Sequence, residues 1–72
     1  MAIDKVNLAT VEKMWRREVE AAHTYKLLAG REHDSTRRDI LLRLAEQEDK
    51  HAARWSERIE LATGRRPDAA EV

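Results

Sequence analysis

Two long stretches of this chain carry apolar residues at helical spacing, and little else in it is periodic. In the first, Leu8, Val11, Trp15, Ala22 and Ala29 fall at alternating three- and four-residue steps once positions 18 and 25 are counted in the series. That spacing keeps one stripe of a helix apolar and predicts a helix over about 8–29. In the second, Leu41, Leu44, Ala45, Ala52, Trp55, Ile59 and Ala62 form a matching stripe and predict a helix over about 37–63. The chain reads as all-α.

The ends of both stretches carry stop and start signals. Asn7 is placed to cap the first helix, with Val6 against Val11 as a hydrophobic staple. Gly30 stands where a left-handed residue ends a helix. Thr36-x-x-Asp39 resembles a capping box, with Asp34 and Ser35 as competing caps. Gly64 closes the second helix and Pro67 follows three residues on. Residues 65–72 then read as a flexible tail or the start of a linker, leaving residues 1–64 as the helical unit.

A connection of roughly five residues forces the helices into an antiparallel hairpin. Two helices alone leave their stripes half covered, and two such hairpins packed together make a four-helix bundle. Composition strengthens that expectation. A chain of 72 residues struggles to bury a sufficient core by itself, and with no Cys it has no disulfide to help. Self-association, a metal or both must supply the missing stability, so a homodimer or a higher even-numbered oligomer is expected.

Fourteen Lys and Arg balance fourteen Asp and Glu. A nucleic-acid binder would gather a basic excess on one face, so no nucleic-acid partner is expected. No apolar run is long enough for a signal peptide or a membrane span. The absence of Cys suits a reducing compartment. A cytoplasmic location is expected, with no membrane contact by this segment.

Each stripe is interrupted by polar residues. Glu18 and Tyr25 stand in the first, Glu48 and His51 in the second. At about 100° per residue, Glu48 falls near the middle of its apolar arc and His51 near the edge. Buried carboxylates are costly unless they are paired or bind a metal. Register brings the interruptions together: Glu18 precedes Gly30 by twelve residues, and Glu48 follows Thr36 by twelve. Each should lie roughly 18 Å from the loop, facing the other, with His51 about one turn beyond. The competing readings are a surface Glu and His that happen to sit three apart, and a Glu18 that pairs with Arg17 or Arg54.

Glu18 with Tyr25 seven residues on, followed by Glu48-x-x-His51, resembles the ferritin and rubrerythrin superfamily over about residues 11–60. It is most similar to half-length encapsulated ferritins and to the rubrerythrin-like domain of vacuolar-iron-transporter-type proteins. The stretches Trp15-Arg16-Arg17-Glu18 and His51-Ala52-Ala53-Arg54-Trp55 share the texture of that second group. The resemblance implies Glu18, Glu48 and His51 as metal ligands, with Tyr25 as a nearby hydrogen-bonding or electron-donating residue. Doubled in a dimer, these residues give two lone Glu and two Glu-x-x-His pairs, the ligand set of di-iron carboxylate proteins. Four carboxylates would balance two divalent ions. Iron, two ions per dimer interface, is the implied metal, with manganese or zinc as substitutes.

The implied activity is ferroxidation, the oxidation of ferrous iron by dioxygen, in iron storage, detoxification or transport. Two alternatives stand beside it. One is a non-catalytic helical oligomerisation domain, whose polar residues only fix register. The other is an iron-sensing or iron-binding domain of a membrane metal transporter, fused beyond the linker that begins near Pro67 and lying on the cytoplasmic face. Unlike ordinary ferritins and rubrerythrins, this chain carries one half of the bundle, and it lacks both a Cys-based rubredoxin module and an apolar shell-targeting tail.

Overall fold

The computed structural model describes residues 5–72, with side chains from residue 7 onward. Helix α1 spans Lys5–Arg31 and helix α2 spans Ser35–Thr63, packed antiparallel in a hairpin 45 Å long and 21 by 17 Å across. No strand occurs among the described residues.

Both helices run further than the apolar periodicity predicts, because the chain near their ends contains nothing that opposes helical dihedrals. Asn7 is not the cap of α1. Helix already includes Lys5, which places Asn7 inside the first turn. The Val6–Val11 staple lies outside the described side chains. Gly30 does not end the helix either: it is helical, and α1 continues to Arg31. The connection is therefore three residues, 32–34, rather than five.

Of the competing caps for α2, Asp34 is the one used. Its carboxylate accepts hydrogen bonds from the backbone N–H of Thr36 at 2.8 Å and of Arg37 at 3.1 Å. Those are donors that the first turn of a helix leaves without partners. The far end of α2 closes as the sequence predicts. Gly64 adopts φ 77°, and its N–H donates to the Glu60 carbonyl at 2.7 Å. A side chain at that φ would crowd the following carbonyl, which makes glycine the natural residue there.

The buried seam follows a seven-residue rhythm on both helices. Trp15, Ala22 and Ala29 supply it from α1, and Ala45, Ala52 and Ile59 from α2. Four of these six are alanine, so the helices meet through small side chains over most of their length. Bulk is confined to the end away from the loop, where Trp15, Ala52 and Ile59 pack with Leu8, Val11, Val19 and Trp55. Val19 and the buried Ser56 belong to the seam although the apolar pattern passes over them.

The hairpin's two broad sides differ in chemistry. On one, Lys26 bridges to Asp49 at 3.0 Å across the helices. On that same side the chain beyond α2 folds back as a short 3-10 turn, Ala69–Glu71, capped by Asp68. It encloses a cleft of about 430 Å³ floored by Trp15 and Ile59 and walled by Glu12, Arg16, Pro67 and Asp68. The other side carries half-buried Val11, Met14, Tyr25, Leu41, Leu44 and Trp55, together with Leu28 and Ile40 at 46% and 52% exposure. No part of this chain covers that side.

Area makes the same point. A compact monomer of 8.4 kDa exposes about 4,600 Å². This chain exposes 5826 Å². The surplus, roughly 1,200 Å², is of the order that one partner contributes to a stable protein interface, about 800 Å².

Candidate metal centre

Glu18 and Glu48 sit near the midpoints of their helices and are geared to the buried seam in the same way. Glu18 follows Trp15 by three residues and precedes Ala22 by four; Glu48 follows Ala45 by three and precedes Ala52 by four. Each carboxylate thus occupies the flank of the seam that opens onto the uncovered side. Their side chains are only 21% and 22% exposed, whereas that of His51, at the rim, is 49% exposed.

The three groups converge. His51 Nδ1 lies 3.8 Å from Glu18 Oε2 and 3.9 Å from Glu48 Oε1. One ligand atom from each residue falls within 4.8 Å of the others. The sequence register places His51 a full turn beyond the facing carboxylates, and the direction of side chains on a helix closes that gap. Cβ atoms lean toward the N-terminus of their own helix. Glu18 therefore leans away from the loop and His51 leans back toward it, so they meet at one height.

The set suits a divalent cation. An ion held at about 2.1 Å by oxygen or nitrogen donors spans at most about 4.2 Å between two of them. Both imidazole–carboxylate separations fall inside that limit, and the remaining few tenths of an ångström lie within the freedom of a glutamate side chain. Three donors fill half of an octahedral shell, and the rest of the shell would open onto the uncovered side. Oxygen and imidazole ligands without thiolate match iron, manganese or zinc.

Of the four residues singled out in the sequence, the structure brings three together. Tyr25 is half-buried on the same flank, two turns along α1 from Glu18, a rise of about 10 Å. His23 and His33 are exposed and lie outside the cluster. Glu18 has His51 as its neighbour rather than Arg17 or Arg54. One feature beside the centre escaped the sequence reading. The Arg58 guanidinium stacks over the Trp55 ring at 4.9 Å from its centroid, on the uncovered side. The i,i+3 spacing of Trp and Arg was the available signal.

No helix among the described residues is long and apolar enough to cross a membrane. No protein-family model, characterised protein or solved structure matches this chain.

Proposed function

We propose that two copies of the hairpin pack through their uncovered sides into a ferritin-like four-helix bundle that binds iron between them. In this reading Glu18, Glu48 and His51 of each copy form a di-iron carboxylate site, and the protein acts as a ferroxidase in iron storage, detoxification or transport. Its setting is the cytoplasm, or the cytoplasmic face of a membrane. The observation that carries the reading is the convergence of two carboxylates and an imidazole, from two different helices, on the one side of the hairpin that nothing covers.

The reaction is balanced with ferrous iron as substrate. Two ferrous ions give up one electron each, and dioxygen takes the pair with two protons to leave as hydrogen peroxide. The carboxylates hold and neutralise the ions. His51 contributes one neutral nitrogen per ion. Tyr25, on the same flank, is placed to hydrogen-bond toward the centre or to donate an electron. The test is absorbance on adding ferrous iron in air. A rise attributable to ferric product, lost in Glu48→Ala, supports turnover; a flat trace identical to that of the variant sinks it.

One observation favours a second reading. His51 Nδ1 stands between the two carboxylates without any ion, so the three groups already form a small polar network. A network of that kind can fix the register of a helical assembly and do nothing else. Metal content separates the two. An oligomerisation domain purifies with no iron above background, and His51→Ala leaves its response to iron unchanged.

A further inference from the structure

We infer that a divalent cation at Glu18, Glu48 and His51 controls the self-association of this chain, with repulsion between carboxylates as the lock that the ion releases. The inference rests on the proposed pairing of hairpins and adds the regulation of that same site.

The uncovered side has two opposing tendencies built into it. Toward the loop it presents Tyr25, Leu28, Ile40, Leu41 and Leu44; toward the other end it presents Val11, Met14 and Trp55. Both patches favour covering, because apolar area removed from water is stabilising. The carboxylates of Glu18 and Glu48 lie between the patches, at mid-length. In the single hairpin they still reach solvent, at 21% and 22% exposure. A second copy laid over both patches would close that route to water. Four carboxylates would then share one poorly hydrated space, with only the two His51 imidazoles beside them.

Burying ionised carboxylates without partners is strongly unfavourable. Because the acids occupy the middle, no sliding of one copy along the other covers both apolar patches and spares the carboxylates. Two divalent ions cancel four negative charges and turn the obstacle into a bridge. The apolar patches supply the tendency to pair and the acids withhold it until the ion arrives.

Removing the lock should therefore mimic supplying the key. Glu48→Gln keeps the shape of the side chain, deletes one charge per copy and weakens the ion site. It should associate without metal and respond little to it. The experiment is sedimentation equilibrium of the full chain after chelation, with manganous chloride added, and with potassium chloride at matched ionic strength to isolate simple screening. Manganese content after gel filtration is measured alongside. Glu46→Gln, an exposed acid on the same helix, serves as control.

The expected result is association at least about 100-fold tighter with manganese than without it, an effect worth about 2.7 kcal/mol. Potassium chloride should not reproduce it, and Glu46→Gln should follow the parent chain. Glu48→Gln should associate equally with and without the metal, and more tightly than the chelated parent. Manganese that binds at the cluster and leaves association unchanged overturns the inference while sparing the metal site. A chain that takes up no manganese overturns the metal reading as well. A Glu48→Gln chain that stays as dispersed as the chelated parent overturns repulsion as the lock.

Discussion

The alanine seam sets how far apart the two halves of the centre stand, and Ala22→Leu tests that link. Ala22 and Ala45 are each 2% exposed on facing helices, one turn from Glu18 and Glu48 respectively. Three extra carbons at residue 22 have no space to enter, and overpacking of this kind costs about 1–3 kcal/mol. For a domain of this size that lowers the melting temperature by roughly 5–20 °C. The consequence for the site is separable from stability. Glu48 and His51 share α2 and keep their spacing, whereas Glu18 must cross the seam to join them. The cluster spans 4.8 Å, and an ion bridges about 4.2 Å between two donors. Parting the helices by only 1–2 Å puts Glu18 out of reach. Metal affinity should fall by about 10–100-fold, a loss of the size seen when the support of a metal ligand is removed. The assay pairs thermal melting by circular dichroism with manganese titration at a temperature where the variant is folded. Ala53→Leu, on the exposed surface of α2, is the control and should stay within about 0.5 kcal/mol of the parent. An Ala22→Leu chain that melts and binds like the parent would refute both the tightness of the seam and its role in spacing the ligands.

Other expectations follow from the helix ends. Gly30→Ala should raise the melting temperature, by about 0.5–1 kcal/mol of added stability, since Gly30 is helical and a Cβ there meets nothing within 4 Å. Gly64→Ala should lower it by about 1–2 kcal/mol, because φ 77° is costly for a residue with a side chain. Equal effects of the two substitutions in thermal melts would contradict the different roles assigned to these glycines. Asp34→Ala removes the acceptor for the Thr36 and Arg37 N–H groups and should cost about 0.5–2 kcal/mol. Ser35→Ala should cost much less if Asp34 alone is the cap. Both are read by urea unfolding.

Most of the hairpin is legible in the sequence because its core obeys a simple spacing. Trp15, Ala22 and Ala29 on one helix, and Ala45, Ala52 and Ile59 on the other, are apolar residues at heptad steps, and all six are buried. The ends were harder to read. Gly30 carries the composition of a helix stop, but a glycine stops a helix only when the chain takes a left-handed turn there, which a three-residue connection does not require. Asp34 prevailed over Ser35 and Thr36 because the short loop puts its carboxylate below two free N–H groups, a matter of geometry that residue type does not decide. Val19 and Ser56 were overlooked because one is isolated from the stripe and the other is polar.

The cluster itself was legible from register: equal distances from the loop place Glu18 opposite Glu48. The sequence could not show how His51 spans the extra turn, because that depends on side chains of antiparallel helices leaning in opposite directions. Nor could it show which side of the hairpin stays open. That emerged from the Lys26–Asp49 bridge and the returning tail, which both occupy the side away from the cluster.

The most direct test of the central claim is anomalous diffraction from crystals soaked anaerobically in ferrous salt. The account predicts two peaks about 3.5–4 Å apart between paired hairpins, each ligated by Glu18, Glu48 and His51 side chains from the two copies. Crystals with no peak among these residues, and with the three side chains turned separately into solvent, would contradict it.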